Sequence, residues 1–481
     1  MLNRKLLEIL KRLDTREIKR LRQFLQSPYF TYGLSSQEII QLFEYIVRYG
    51  ADADAPQLEK RRVSVRLFPD KPYNENGKSP IDTLTSDLFR LTKKFLFVSE
   101  IEHDSSEVMQ ELPVARFYRK YGLEDRFWKS VQYMRSVSDA ESRHDERYFL
   151  DRYFVEEEVY TFKAFFNSTE DDANIGSKAF YLEQFFAIAR MDTACILNLQ
   201  RQRVDFQEAY TQALGDELIR LIRGGMFHHN GLAETYLLVL DNINNPEKLE
   251  LVEQLRKRLE AQKQQFPIAH LKSLMASLRI FFIRRYQKSG QQTFLADYFS
   301  LVTQHLEEGY LYYDGKLIAA SLRNIVHNGL RLGYFDKVRE ILEAHPPERI
   351  GGTRHPEEIY NLLHAIYYFA LKDYVNAEKH LVQCNFDDIH FNVQAEILQI
   401  KIYYETNSDL LDYRIKALQQ KVRRSRMAKE FKERYFALLN KILLLMKYSW
   451  EKKSPKRIKL LEEIRNTPGL LEKDWLISHL E

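Results

Sequence analysis

Chain-breaking residues are too rare in this sequence for anything but long helices. Among 481 residues there are 17 glycines and 13 prolines, about half the ~7% and ~5% of an ordinary globular chain. Leu, Lys, Glu, Arg and Gln, all good helix formers, fill the space between breaks. No alternating apolar–polar run is long enough to predict a strand that matters. The expected fold class is all-α. With 44% hydrophobic and 29% charged residues there is material for both a sizeable core and a wet surface.

Apolar spacing divides the chain into three expected regions. Residues 1–104 predict an N-terminal helical module. Leu6, Leu7, Leu10 and Leu13 form one stripe, and Ile18, Leu21, Phe24 and Leu25 form the next, with Asp14 or Thr15 as its cap. Pro28 stops that helix, because a proline disfavours helix in the residue before it. Ile39, Ile40, Leu42, Phe43 and Ile46 face inward from a third helix. Asp70–Gly77 is the most turn-rich stretch, and Leu84, Leu88, Leu91, Phe95 and Leu96 follow on a longer helix. Residues 105–270 predict long helices in irregular hairpins, broken near Gly122, Glu170–Asn174, Gly224-Gly225 and Pro246. Residues 271–481 predict more regular hairpins and carry a basic C-terminal region.

Within this last region, Asn361–Asn385 has small residues, Ala365 and Ala377, at two points. Bulky Tyr368, Tyr374 and Leu381 surround them, Cys384 is a third small residue, and Lys372-Asp373-Tyr374 makes the turn. This stretch resembles a tetratricopeptide repeat, without that family's first-helix tryptophan or closing proline. Leu322–His345 is a weaker copy with Val338 at the second small site, and Ile397–Leu418 follows with Tyr404 and Tyr413. Ala296, Val338, Ala377, Tyr413 and Ile458 stand 42, 39, 36 and 45 apart, against a strict period of about 34. The resemblance implies stacked antiparallel helical hairpins, an α-solenoid whose repeat positions are packing positions. Ser27-Pro28-Tyr29-Phe30 and Leu67–Asn74 are similar to phrases of uncharacterised bacterial helical-repeat proteins, and imply no function.

The search for chemistry yields no constellation. There is no GxxxxGK[ST], HExxH or GxSxG motif. Gly224-Gly225 and Gly351-Gly352 lack a lysine and a strand context, so both are expected to be helix-terminating loops. His228-His229 are adjacent, and neighbours on a helix point about 100° apart, which is poor for joint metal binding. Cys384, Asp387, Asp388 and His390 form the densest ligand-type cluster, but Cys384 occupies a packing position. Glu156-Glu157-Glu158 is expected to be the wet face of an amphipathic helix. No enzyme activity, cofactor or metal is expected.

Charge is the main functional signal. Residues 411–460 hold sixteen Lys/Arg against four acids, a net +12 within a chain of net +4, which leaves the remainder at −8. Arg423, Arg424 and Arg426, then Lys452, Lys453, Lys456 and Arg457, are the expected partner-binding residues. Two cysteines, Cys195 and Cys384, are too few for a disulfide framework. Early charges argue against a signal peptide, and no apolar run approaches the ~18 residues of a membrane span. The expectation is a cytoplasmic protein–protein scaffold without membrane insertion. The alternative is a nucleic-acid-associated regulator that contacts a polyanion through the basic face.

Overall fold

The fold was taken from a computed structural model, which describes residues 2–69, 73, 79–104, 106–166, 174–201, 213–227, 230–384, 386, 389–425, 427, 429–448, 454–467 and 470–481. Among these are 24 α-helices and one three-stranded sheet, so the chain is all-α in class. It divides into two compact units. The first comprises 1–142 and 147–183, the second 143–146 and 184–481.

The first unit holds α1 (Arg4–Leu10), α2 (Thr15–Gln26), α3 (Pro28–Thr31), α4 (Ser36–Arg48), α5 (Lys60–Leu67), α6 (Pro80–Asp104), α7 (Glu107–Lys120), α8 (Glu124–Ala140) and most of α9 (Glu146–Phe165). Asp14 caps α2 through a reciprocal box. Its Oδ1 accepts from Glu17 N at 2.7 Å, and Glu17 Oε2 accepts from Asp14 N at 2.8 Å. Such a cap is worth about 1 kcal/mol. Leu6, Leu7, Leu10, Leu21, Leu25, Ile39, Leu42, Phe43, Ile46, Leu88 and Leu91 make one buried cluster, following the expected stripes. Pro28 ends α2 but also starts α3 as its first residue, where a missing N–H costs nothing. Most of 70–77 lies outside the described residues.

A second cluster in this unit joins Leu112, Phe127, Val131, Met134, Val155, Val159 and Phe162 from α7, α8 and α9. Here the acidic run departs from expectation. Glu156 and Glu158 are buried, 1% and 4% exposed. A buried carboxylate is tolerable only with charged donors around it. Arg135 Nη2 grips both oxygens of Glu156 at 2.8 Å. Glu158 accepts from Arg116 Nε at 2.6 Å and Arg119 Nε at 3.1 Å. Glu156 and Glu158 are thus an internal clasp onto α8 and α7, while the half-exposed Glu157 pairs with Lys178.

The boundary between units falls within α10 (Ile175–Arg201). The second unit continues with α11 (Ala213–Arg223), α12 (Gly231–Asn244), α13 (Leu249–Gln262), α14 (Ile268–Ser289) and α15 (Gln292–Glu307). Strands β1 (Tyr312–Tyr313) and β2 (Lys316–Ile318) form a hairpin, and α16 (Ala319–Arg331) and α17 (Phe335–Ala344) follow. Strand β3 (Ile350–Gly351) then pairs parallel to β2. The remaining helices are α18 (Pro356–Ala370), α19 (Tyr374–Leu381), α20 (Ile389–Glu405), α21 (Leu411–Arg424), α22 (Lys429–Tyr448), α23 (Pro455–Asn466) and α24 (Lys473–Ser478).

The β-hairpin turns on Asp314 and Gly315, both at positive φ, the geometry a two-residue turn demands. Gly351 is therefore not in a helix-terminating loop. It pairs in β3, where an added Cβ would stand 2.9 Å from Lys316 Cβ. Gly225, by contrast, turns the chain just after α11, as expected.

From α14 onward, α14 packs on α15, α16 on α17, α18 on α19 and α20 on α21, and α18 also touches both α16 and α20. Ala365, Ala377 and Val338 are fully buried. Gly329 accommodates the larger Val338: a Cβ on it would meet Val338 Cγ2 at 2.5 Å and Phe299 Cε2 at 2.7 Å. One hairpin thus pairs glycine with valine nine residues on, and the next has tyrosine (Tyr368) and alanine (Ala377) at the same spacing. The repeat spacing fails further along. Tyr413 and Ile458 are exposed, 68% and 54%. The inner faces of α21 and α23 are instead Leu411, Ile415, Leu418 and Val422, and Leu460 and Ile464.

Candidate functional site

Helices α14, α16, α18 and α20 together line a cavity of about 650 Å³ in the second unit. Its residues recur at helical spacing: Ala276, Arg279, Ile283 and Gln287 on α14, Arg323, Asn324, His327 and Asn328 on α16, Leu362, Ile366 and Phe369 on α18, and Gln394, Ile397, Leu398 and Lys401 on α20. Residues three and four apart share one helix face, so each helix contributes one stripe. Tyr298 from α15, Tyr435 from α22, and Leu471 and Glu472 before α24 complete the wall.

The polar part of this wall is cationic. Lys401 is 8% exposed, and its amine donates to Glu472 Oε2 at 2.7 Å. It also sits 4.6 Å from the Phe369 ring centroid and 5.4 Å from that of Trp475. Lys401 holds the Glu472 carboxyl below the usual carboxylate range, overcoming the opposite pull of its enclosure. Glu472 reaches the cavity from a left-handed backbone, φ 52°, which costs an L-residue about 1–2 kcal/mol.

Arg279 Nη1 donates to His305 Nδ1 at 2.7 Å. That contact requires a neutral ring. Burial first, and Arg279 second, push His305 down to about 4. Burial also lowers Arg279, to about 10, so it stays charged at neutral pH. His327 is exposed on the cavity's wall, though protein groups crowd around its ring. That enclosure, with Arg323 and Lys401 adding to it, pushes its ring down to about 4. At neutral pH the cavity therefore presents Arg279, Arg323 and Lys401 against the single carboxylate of Glu472.

The expected basic residues lie elsewhere. Arg423 and Arg424 are exposed on the last turn of α21, and Lys456 is exposed on the first turn of α23. Both helices pack on α22. Arg457 is turned to structural use, since its Nε and Nη2 donate to Leu480 O and His479 O at 3.1 and 2.9 Å. Lys421 is held by Asn392 and Glu396, and Lys441 by Glu463. Arg426, Lys452 and Lys453 lie outside the described residues, as do His228-His229, Asp387, Asp388 and the His390 side chain. The Cys384 thiol donates weakly to Glu358 O and His380 O, both 3.6 Å away, and burial pushes it up to about 12. It is packed and protonated.

Two polar centres had gone unread in the sequence. The cavity's signal was a charge on an apolar stripe, Lys401 four residues after Ile397 and Arg279 four after Met275. The other is Asp145, Glu146 and His270, whose ligand-type atoms lie within 4.8 Å of one another. Both His270 nitrogens are already engaged, Nε2 with Glu146 at 2.6 Å and Nδ1 with the Tyr236 hydroxyl at 2.7 Å. Burial opposes the charged ring, but Glu146 prevails and raises its pKa. This is a hydrogen-bonded relay through the buried His270 rather than an open set of ligands. Among the described residues, no helix is long and apolar enough to cross a membrane. No known protein family, curated protein or solved structure matches the chain.

Proposed function

We propose that the chain is a non-enzymatic binding scaffold. In this reading residues 271–481 are tetratricopeptide-like hairpins, and a protein partner docks on the face where the inner helices lie side by side. The observation that carries it is the cavity of about 650 Å³, lined by residues of α14, α16, α18 and α20 rather than by one loop. Helical-repeat arrays bind through surfaces of this kind. The test is photo-crosslinking in native cells, with the crosslinker placed at Ser321 or Gln287 in the cavity and at Tyr313 away from it. Discrete protein adducts at the two cavity positions, absent at Tyr313, are expected. No adduct at either cavity position sinks the reading.

A second reading, a nucleic-acid-associated regulator, is favoured by the exposure of Arg423, Arg424, Lys456 and Lys459. Polyanion binding through them would weaken steeply with salt as counterions are released. Titration of single- and double-stranded nucleic acid at two salt concentrations tests it, with Arg423→Glu/Arg424→Glu as the control. If wild type and variant bind alike, this face is not the contact.

A further inference from the structure

We propose that the cavity of the second unit is a binding site for a small organic monoanion, a carboxylate carried on an apolar body. The proposal does not rest on the scaffold reading. It starts from an imbalance of charge. Of the three cations that line the cavity, only Lys401 has a carboxylate, Glu472 at 2.7 Å. Arg279 donates to a neutral imidazole, and Arg323 lies over the Phe391 ring at 5.9 Å. Among the described residues no carboxylate pairs with either arginine. A guanidinium enclosed by protein without a counter-charge is costly, and an incoming anion relieves that cost.

The rest of the wall narrows the ligand's chemistry. Ile283, Leu362, Ile366 and Leu398 offer apolar surface beside the arginines. About 650 Å³ is within the ~300–1,000 Å³ range of sites that enclose a whole small molecule. Glu472 stands in the same wall and repels negative charge. With three cations against Glu472 the wall attracts any anion, so its apolar surface decides: a carboxylate on a hydrocarbon body is preferred to inorganic phosphate, which has none to bury. His327, held neutral, can donate or accept a hydrogen bond without adding charge.

Calorimetric titration of the full chain with octanoate, octanamide and inorganic phosphate tests this. Octanoate is expected to bind saturably, one per chain. Octanamide, which keeps the body and loses the charge, and phosphate are each expected to bind about tenfold more weakly. Arg323→Gln should weaken octanoate about tenfold, and Arg323→Lys should recover part of that loss, with melting curves showing both variants folded. Glu472→Gln should narrow the gap between octanoate and phosphate. Failure of octanoate to saturate, equal binding of octanamide, or equal binding by Arg323→Gln would each overturn the proposal. An end-blocked leucyl-glutamate dipeptide binding more tightly than octanoate would assign the carboxylate to a protein partner and overturn the small-molecule assignment. Photo-crosslinks without octanoate binding would leave the scaffold standing alone. Octanoate binding without crosslinks would do the reverse.

Discussion

Both units bury charge among helices, but to opposite ends. In the first, Glu156 and Glu158 are almost sealed, and arginines from α7 and α8 close over them. Each charge is answered inside the protein, so the cluster clamps three helices and has nothing left to offer a ligand. In the second unit Arg279 and Arg323 face a hollow and are answered by no acid among the described residues. Charge completed internally is architecture. Charge left incomplete around a space is a site. A count of acidic and basic residues sees no difference between them.

The contrast can be broken most easily at its strong end. Arg135→Met strips Glu156 of its bidentate donor and leaves a carboxylate buried. Breaking a buried pair costs about 3–5 kcal/mol. The lower end is expected here, because Asn174 Nδ2 still donates to Glu156 at 2.8 Å. Urea unfolding measures it, and a loss under ~1 kcal/mol would place this pair with ordinary surface bridges. Packing in the second unit comes next. Gly329→Ala forces a methyl into Val338 and Phe299, costing about 1–3 kcal/mol. Val338→Ala in the same chain should recover much of it, as a double-mutant cycle would show. Ala377→Trp, at a fully buried position, should cost at least as much in the same range. An unchanged melting temperature there would remove the close-approach site from the repeat assignment.

Acid should distinguish the second unit more gently. His305 has a folded pKa of about 4 against an ordinary 6.5. The unfolded chain therefore takes up the proton first. The stability from neutral His305 is complete above 6.5 and is lost as pH falls towards 4. At about pH 5 this amounts to roughly 1–2 kcal/mol, and His305→Gln should flatten that slope in pH-dependent melts. His270 has the opposite sign. Its raised pKa contributes stability below 6.5 that is lost as pH rises through the folded value, and Glu146→Gln should abolish it. The smallest effect sharpens the contrast most. Arg323→Met should change stability by no more than about 0.5 kcal/mol, or raise it, because only the distant contact over the Phe391 ring is lost. A loss as large as that of Arg135→Met would make Arg323 a structural residue.

Much of the helical framework was legible before the structure. The first-unit core follows the stripes Leu6–Leu10, Leu21–Leu25 and Ile39–Ile46 almost residue for residue. Asp14 followed by Glu17 marks its own helix start. Gly122, Gly225 and Gly290 take the positive φ that ends a helix. The β-hairpin could have been found from Asp314-Gly315, and its shortness hid it. Ala377 and Val338 are buried as packing positions would be, whereas Tyr413 and Ile458, reached by the same spacing, are exposed.

What the sequence by itself determined is therefore local. Helix starts and stops, and the apolar face of each helix, depend on residues within a turn or two of one another. Only the tertiary structure decided the fate of the charges. Whether Glu158 meets water or Arg119 depends on a helix 39 residues away, and whether Lys401 finds Glu472 depends on a loop 71 residues away. The energy of a charge is set by what surrounds it in space, and the cavity that Arg323 lines is closed by α14, α15, α18, α20, α22 and the segment before α24. A hollow is the part of the fold that no residue occupies, so it has no letter in the sequence. It exists only once the helices that leave it open have been packed.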